Sequence, residues 1–350
     1  MVREVDNHLT NDLKHILTHT DHLWDELRDQ KIFITGGTGF FGCWLLESFM
    51  WANENLDLNA TALVLTRSRD TFRKKAPHLV SNPAIQFYEG DVRSFRFPEG
   101  SFSYIIHAAT SASLQLNEQN PLLMFDTIVQ GTRHVLDFAR HCNVRKFLFT
   151  SSGAVYGKQP SEMTNVSEDY TGAVNPVDPR SAYGEGKRAA ELLCSLYSSQ
   201  NDFEVKIARC FAFVGPYLPL DIHYAIGNFI RDGLKGEPIC VKGDGTPYRS
   251  YLYAADLIIW LWTILFNGIS CRPYNVGSGQ GITIQKLAMI VADQFDHKPE
   301  IQILQKPQQN KTPERYVPSV QRAEIELGLK QLIDLPDAIR RTVNWNLNFT

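Results

Sequence analysis

The 350-residue sequence predicts an α/β protein with a doubly wound parallel sheet and a smaller C-terminal substrate lobe. Apolar strands alternate with helical stretches between residues 31 and 150, as in chains whose parallel strands are joined by helical crossovers. The strand Phe147-Leu148-Phe149 is apolar throughout, which indicates a sheet that is covered on both faces. After about residue 211 the regular alternation ends and glycines and prolines interrupt short segments, which is typical of a loop-rich lobe.

Composition and charge exclude several functional classes. Apolar residues are 43%, charged residues are 21% and the net charge is −3, so neither a disordered chain nor a strongly basic nucleic-acid surface is expected. The longest apolar run, residues 257–266, is far shorter than the roughly 20 residues of a membrane span. Without an apolar leader, a CxxC pair or any His/Cys/Asp cluster at metal spacing, the sequence predicts a cytoplasmic protein that binds no metal, membrane or nucleic acid.

Residues 1–30 are predicted to form an N-terminal helical extension. Leu13, Ile16 and Leu23 belong to an apolar series near the helical period, and Thr20 is the expected cap of a second short helix. We expect the apolar stripe to pack on the main body, and a dimerisation arm is the alternative.

The next 180 residues contain the predicted sheet. The strands are expected at 31–35, 61–66, 85–88, 104–108 and 146–150, with helices over 40–52 and 124–142. Residues 31–210 are therefore predicted to be one α/β domain, and residues 211–350 mainly the smaller lobe.

A glycine turn follows the first strand and carries the main functional signal. Gly36, Gly39 and Gly42 keep a three-residue spacing between a strand and a helix. Without Cβ atoms, the backbone there lets a pyrophosphate approach the free N–H groups at the helix start. This context predicts a dinucleotide-binding (Rossmann) domain, and the expected cofactor contacts come from Gly36, Thr38, Gly39, Phe40, Phe41 and Gly42.

The end of the second strand bears on which dinucleotide binds. An NAD enzyme usually has an acidic residue there for the ribose, whereas this chain has Arg67 followed by serine. Arginine suits a 2′-phosphate, so NADP is slightly favoured over NAD; the alternative is that Arg67 lies in a solvated loop. Further cofactor contacts are expected where the third and fourth strands end, from Asp91, Val92, Ala108 and Ala109.

A tyrosine and a lysine form the predicted catalytic pair. Tyr183 and Lys187 stand at i and i+4, so a helix would place both side chains on one face. A nearby ammonium and a positively charged nicotinamide both favour the phenolate, which makes Tyr183 a candidate general acid/base. Lys187 would also bind the nicotinamide ribose. Ser152 ends the fifth strand, at the sheet edge where ligands collect, and can polarise the same substrate oxygen.

Several segments resemble one family. Residues 35–42, Asp91-Val92, residues 151–157 and residues 183–187 are similar to extended short-chain dehydrogenase/reductases that act on nucleotide sugars. Residues 168–188, 209–216 and 243–249 most resemble UDP-glucuronate decarboxylases. The resemblance implies a catalytic triad of Ser152, Tyr183 and Lys187 and a nucleoside-diphosphate sugar as the partner. It also implies a homodimer through the helices that contain 125–139 and 189–197, and substrate contacts from Arg249, Asn228 and Arg315.

Departures from the family pattern narrow the expected reaction. Dehydratases of the family carry an Asp-Glu pair just before the Val-Tyr-Gly segment, and decarboxylases carry a glutamate there, whereas this chain has Gly153-Ala154. The sequence therefore favours a 4-keto sugar nucleotide reductase. The alternative is a C4 epimerase with tightly bound NAD. A decarboxylase, a 4,6-dehydratase and a non-enzymatic dinucleotide sensor rank lower.

Overall fold

The computed structural model describes residues 8–110, 114–222, 224–308 and 312–349. Its largest sheet has seven strands, β1 Lys31–Thr35, β2 Thr61–Thr66, β3 Ile85–Glu89, β4 Tyr104–His107, β5 Lys146–Ser152, β6 Glu204–Cys210 and β11 Pro273–Val276. The smaller strands are β7 Phe213–Val214, β8 Ile239–Val241, β9 Tyr248–Arg249, β10 Leu252–Tyr253, β12 Ile282–Thr283, β13 Ile301–Ile303 and β14 Arg315–Tyr316. The helices are α1 Thr10–Thr20, α2 Phe40–Asn55, α3 Arg69–Lys75, α4 Pro77–Ser81, α5 Leu114–Gln119, α6 Pro121–His141, α7 Ala182–Gln200, α8 Ala225–Leu234, α9 Ala254–Asn267, α10 Ile284–Ala292, α11 Gln321–Leu327 and α12 Leu335–Phe349.

The seven-stranded sheet confirms the predicted fold class. Its order is β3-β2-β1-β4-β5-β6-β11, and every neighbouring pair is parallel. The chain moves outward from β1 in one direction and then returns to β4 for the other half. The crevice beyond the carboxyl ends of β1 and β4, where the strand order reverses, is the place at which such sheets bind ligands.

Side chains alternate across this sheet because successive residues of a strand face opposite sides. Phe33 packs with Phe138 of α6 on one face, whereas Ile32 and Ile34 join Trp44 of α2 on the other. Both faces are therefore covered, as the uninterrupted apolar strands indicated. No helix within the described ranges is long and apolar enough to cross a membrane.

The N-terminal extension packs on the body, as expected for residues 8–30. Helix α1 contacts α2 and α9, and Leu13 and Ile16 are buried. The role predicted for Thr20 is wrong: its hydroxyl makes no capping bond, but donates to the Ile16 carbonyl and accepts from the Trp24 indole. Residues 1–7 lie outside the described part of the chain.

The segment after residue 210 contributes to both parts of the molecule. Strand β11 joins β6 at the edge of the large sheet, and α9 packs against β5 and β6. The smaller lobe contains the sheets β12-β9-β14 and β13-β8 and helices α8 and α10. One strand and one helix beyond residue 210 therefore belong to the large sheet and its covering layer. The domain boundary at residue 210 stays a prediction.

Candidate active site

The glycine turn, residues 36–42, joins β1 to α2 and leaves no room for side chains at two of its positions. Gly36 has a φ of +73°, and a Cβ there would lie 2.4 Å from the Ala108 carbonyl oxygen. A Cβ at Gly42 would lie 2.2 Å from the Gly37 carbonyl carbon. Only glycine permits this approach of β1, β4 and α2.

This turn fits the pyrophosphate of a dinucleotide. Helix α2 begins at Phe40, and its N-cap residue Gly39 supplies no side-chain cap. The first-turn amides of a helix have no intrahelical acceptor, so those of Phe40, Phe41 and Gly42 suit an anion. The Thr38 carbonyl, by contrast, faces the protein and accepts from the Lys75 ammonium at 3.4 Å.

The contacts at the end of β2 give less support for binding a 2′-phosphate than Arg67 and the serine after it suggested. Arg67 is exposed, as expected for either of its predicted roles. The Ser68 hydroxyl accepts the Thr71 N–H at 3.3 Å and so caps α3. The Glu89 carboxylate accepts the Arg69 N–H at 3.1 Å, which places a negative charge at the start of the same helix.

Asp91 and Val92 are held firmly after β3. Both Asp91 carboxylate oxygens accept from the Arg93 guanidinium at 2.9 Å, and these bonds hold the Asp91 pKa below its usual value. Val92 packs on α6, where a Cβ at Gly131 would lie 3.0 Å from Val92 Cγ1. The adenine contact predicted for Asp91 stays a prediction.

Lys187 lies at the carboxyl end of the sheet. The residue is 2% exposed, and its ammonium donates to the Thr150 carbonyl at 2.8 Å and to the Thr110 hydroxyl at 2.9 Å. Burial lowers the pKa of Lys187 to about 8. An ammonium has three N–H donors, and these two bonds use two of them. The ribose contact predicted for Lys187 stays a prediction.

Tyr183 and Ser152 come together from different elements. Tyr183 is at the start of α7 and Ser152 at the end of β5. Burial raises the pKa of Tyr183, and a hydrogen bond with the Ser152 hydroxyl acts against that rise. Since burial is the larger cause, the phenol is neutral at pH 7 in the protein alone. The Lys187 ammonium one turn later is directed at Thr150 and Thr110.

The structure brings two aromatic residues to this site that the sequence analysis did not select for it. Tyr316 lies in β14, and a Cβ at Gly153 would lie 2.7 Å from the Tyr316 hydroxyl and 2.7 Å from the Phe211 ring. The two rings pack with centroids 4.7 Å apart. Burial raises the pKa of Tyr316, and a hydrogen bond with the Ser152 hydroxyl opposes the rise. Three hydroxyl groups therefore meet beside Gly153.

The predicted substrate arginines lie next to this cluster. Strand β9 pairs with β14, so Arg249 is opposite Tyr316 and Tyr248 is opposite Arg315. Arg249 lowers the pKa of Tyr316, although burial dominates. The Arg315 guanidinium stacks over the Tyr248 ring at 4.0 Å. The small sheet thus places Arg249 beside Tyr316 and Arg315 beside Tyr248, and the substrate contacts predicted for both arginines stay predictions.

Asn228 approaches from α8. Its side-chain oxygen accepts from the Arg231 guanidinium at 3.2 Å. Tyr224, one turn earlier, lies near enough to Tyr183 to add to the rise in the Tyr183 pKa. The predicted sugar-nucleotide contact is therefore on the helix that adjoins Tyr183, the predicted catalytic tyrosine.

Comparisons with known proteins agree with this geometry. The model of the NAD dependent epimerase/dehydratase family matches residues 32–277. The chain is 30% identical over 317 residues to UDP-glucuronic acid decarboxylase 1 of Danio rerio, covering 90% of this chain and 72% of the relative. It is 32% identical over 311 residues to UDP-glucuronic acid decarboxylase 6 of Arabidopsis thaliana, covering 89% and 87%.

Solved structures share the fold at lower identity. UDP-N-acetylglucosamine 4-epimerase from Methanobrevibacter ruminantium superimposes with a TM-score of 0.78 at 19% identity, covering 92% of this chain and 100% of that one. The dTDP-glucose 4,6-dehydratase of Streptomyces venezuelae, with NAD bound, gives 0.75 at 24% identity, covering 91% and 97%. The chain therefore belongs to the NAD-dependent epimerase/dehydratase family of extended short-chain dehydrogenases and is an enzyme that acts on nucleotide sugars.

Proposed function

We propose that the protein reduces the 4-keto group of a nucleoside-diphosphate sugar. The observation that carries this proposal is the pair of apolar residues Gly153 and Ala154 beside the catalytic hydroxyls. A dehydratase or decarboxylase of this family has a carboxylate in that segment. Here neither Gly153 nor Ala154 carries an acid, and a side chain at Gly153 would also collide with Phe211 and Tyr316, so this segment supplies no group to act on a carbon next to C4.

Three side chains divide the work in this mechanism. Ser152 donates a hydrogen bond to the C4 oxygen, and Tyr183 gives that oxygen a proton as negative charge develops on it. Lys187 binds the nicotinamide ribose and adds positive charge beside Tyr183. The dinucleotide supplies the hydride when it is bound.

The sugar nucleotide is held from the smaller lobe. The proposal assigns the diphosphate to Arg249 and Arg315 of the small sheet, since guanidinium groups bind phosphate oxygens with two parallel hydrogen bonds. Asn228 contributes a polar contact from α8. The position of Arg249 opposite Tyr316 links diphosphate binding to the reacting end of the sugar.

A second candidate is a C4 epimerase that keeps its NAD. The observation that favours it is the pair of contacts at the start of α3, where Ser68 acts as a cap and Glu89 adds a carboxylate. A negative charge there opposes a 2′-phosphate and suits NAD, against the slight preference for NADP that Arg67 suggested. Both candidates use Ser152 and Tyr183 in the same way.

Cofactor stoichiometry separates these reactions. The purified enzyme is incubated with a nucleotide-linked 4-keto-6-deoxy sugar and either NADPH or NADH, and absorbance at the nicotinamide band is followed. We expect one reduced cofactor to be consumed per sugar. Turnover of a UDP-hexose with no net cofactor change would replace the reductase by the epimerase, and release of carbon dioxide from UDP-glucuronate would replace both.

The tyrosine assignment is tested with a matched pair on one helix. Tyr183→Phe is expected to lower kcat by about 10² to 10⁴, the range of general acid catalysis, with dinucleotide binding retained. Tyr197→Phe on the same helix loses a hydroxyl that bonds to Asp137 and Arg133 of α6, and it is the control. Equal activity of the two variants would remove Tyr183 from the mechanism.

We also propose a homodimer. Helices α6 and α7 pack side by side, and α7 exposes Leu192 and Leu196 one turn apart. Contiguous exposed apolar side chains on a helix mark contact surfaces, and a C2 pairing of such helices would bury them.

A further inference from the structure

His107 is a buried titratable group that has no part in the mechanism above. It ends β4, is 2% exposed, and stacks on Phe149 of β5. Both ring nitrogens have hydroxyl partners: Nδ1 lies 2.7 Å from Thr35 Oγ1, and Nε2 lies 3.0 Å from Thr132 Oγ1. The imidazole therefore bridges β1 to α6 behind the glycine turn.

A chain of contacts links this bridge to the backbone after β4. Ala109 donates its N–H to Thr35 Oγ1 at 3.2 Å. The Thr35 hydroxyl keeps its own proton, and His107 Nδ1 lies within reach of it, 2.7 Å away. With the Thr35 proton on that bond, the imidazole proton is on Nε2 and directed at Thr132.

A neutral ring suits this arrangement. A charged imidazolium would carry protons on both nitrogens, and Thr35 could no longer donate to Nδ1. Burial, with a smaller contribution from the Lys187 ammonium, lowers the pKa of His107 to about 3. His107 therefore stays neutral over the working pH range.

The residues held by this chain support the cofactor site. Gly36 packs against the backbone of Ala108 and Ala109. The next residue, Thr110, accepts a hydrogen bond from the Lys187 ammonium at 2.9 Å through its hydroxyl. Thr150, the other Lys187 partner, donates its hydroxyl to the His107 carbonyl at 3.2 Å. Both acceptors of Lys187 are thus attached to the end of β4.

We propose that His107 is a positioning residue for dinucleotide binding, acting through Thr35 to orient the backbone of residues 108–110 beneath the glycine turn and Lys187. Its Nδ1 acceptor carries this role, while the bond from Nε2 to Thr132 serves stability. The inference rests on the dinucleotide site and not on which sugar reaction follows.

Four single variants test the two sides of the ring separately. Asparagine places its oxygen near the position of Nδ1, so His107→Asn keeps an acceptor for Thr35, and Thr132→Val also leaves the Thr35 side intact. Glutamine reaches the position of Nε2, so His107→Gln keeps the Thr132 bond but loses the acceptor for Thr35. Thr35→Val removes the other partner of the same bond, the Thr35 hydroxyl. NADH and NADPH binding is measured by nicotinamide fluorescence on the whole protein without sugar, beside the Tm of each variant.

We expect Tm to fall for all four variants, whereas dinucleotide affinity should fall for only two of them. His107→Gln and Thr35→Val should bind about three- to tenfold more weakly, the equivalent of one lost hydrogen bond. His107→Asn and Thr132→Val should stay close to wild type. Affinities that follow Tm in every variant, or equal affinity for the Asn and Gln variants, would overturn the proposal and leave His107 a purely structural residue. Because the assay needs no sugar, a failed reductase assay leaves this result unaffected.

Discussion

At the scale of single residues, the proposed reaction rests on Gly153 and Ala154, neither of which carries an acid. The Phe211 and Tyr316 rings close the space beside Gly153. Two other segments of the chain therefore exclude a side chain at position 153.

We predict that Gly153→Ala lowers both stability and activity. Its Cβ would approach Phe211 and Tyr316 to 2.7 Å, and overpacking of this kind costs about 1–3 kcal/mol of unfolding free energy. Displacement of Tyr316 also disturbs the Ser152 hydroxyl. Denaturant unfolding and kcat are the measurements. Gly279→Ala is the control, because its nearest contact would be an ordinary 3.5 Å from Val320; a similar loss in both variants would contradict the prediction.

Lys187 predicts opposite pH trends for binding and stability. The pKa falls from 10.5 to about 8 on burial, so between these values the unfolded chain holds more protons and the unfolding free energy rises with pH. Below pH 8 the buried ammonium carries its full desolvation penalty. Dinucleotide affinity should instead weaken above about pH 8, where the donor to the ribose is lost.

This pair of trends is checked by NADH titrations and urea unfolding from pH 6.5 to 9.5. Lys187→Met has no proton to lose, so neither its affinity nor its stability should show this step near pH 8. A wild-type alkaline decline in binding that persists unchanged in Lys187→Met would assign the step to another group.

At the scale of elements, the turn between β1 and α2 is the most constrained segment. Gly36 and Gly328 share nearly the same left-handed φ, +73° and +68°. Both alanine variants therefore carry the strain of that conformation, about 1 kcal/mol. Only at Gly36 would the new Cβ also meet backbone, 2.4 Å from the Ala108 carbonyl oxygen, whereas nothing lies within 4 Å at Gly328.

We therefore predict that Gly36→Ala abolishes dinucleotide binding and lowers Tm well beyond Gly328→Ala, which should bind normally. Fluorescence titration with NADH and thermal unfolding measure the two effects. Normal binding by Gly36→Ala would show that the turn is not the pyrophosphate site.

At the scale of the whole molecule, the exposed leucines of α7 predict the assembly. Leu192 is 61% and Leu196 45% exposed, although the rest of the helix packs on α6 and the sheet. We predict that the protein is a dimer by light scattering and that Leu192→Glu combined with Leu196→Glu yields a monomer. Ile325→Glu, at a residue 73% exposed on α11, is the control. A wild-type monomer would contradict the prediction.

The N-terminal extension shows how distant segments close the fold. Asp12 of α1 accepts from the Tyr253 hydroxyl at 2.6 Å and forms an ion pair with Arg341 of α12. Asp12 thus links α1 to β10, which contains Tyr253, and to α12. The two helices lie near opposite ends of the described chain. The sequence indicated an apolar stripe for this extension but gave no sign of its polar anchor.

Local patterns in the sequence were sufficient for much of the result. Strand apolarity, glycine spacing and the i, i+4 placement of Tyr183 and Lys187 act within a few residues, so they predicted the parallel sheet, the glycine turn and the serine at the end of β5. The chain's own residues also showed that no carboxylate stands at 153 or 154. These features depend on backbone geometry that neighbouring residues determine.

Only the tertiary structure decided which distant residues complete the site. Tyr316 and Phe211 lie beside Gly153, and Arg249 lies opposite Tyr316, because β14 pairs with β9 and β6 ends beside β5. No local period in the sequence encodes that pairing. The approach of Glu89 to the start of α3 likewise arises from the register of β2 with β3. Burial is the largest cause of the pKa shifts of Lys187, Tyr183 and His107. It depends on how the whole chain packs, so local sequence patterns do not predict it.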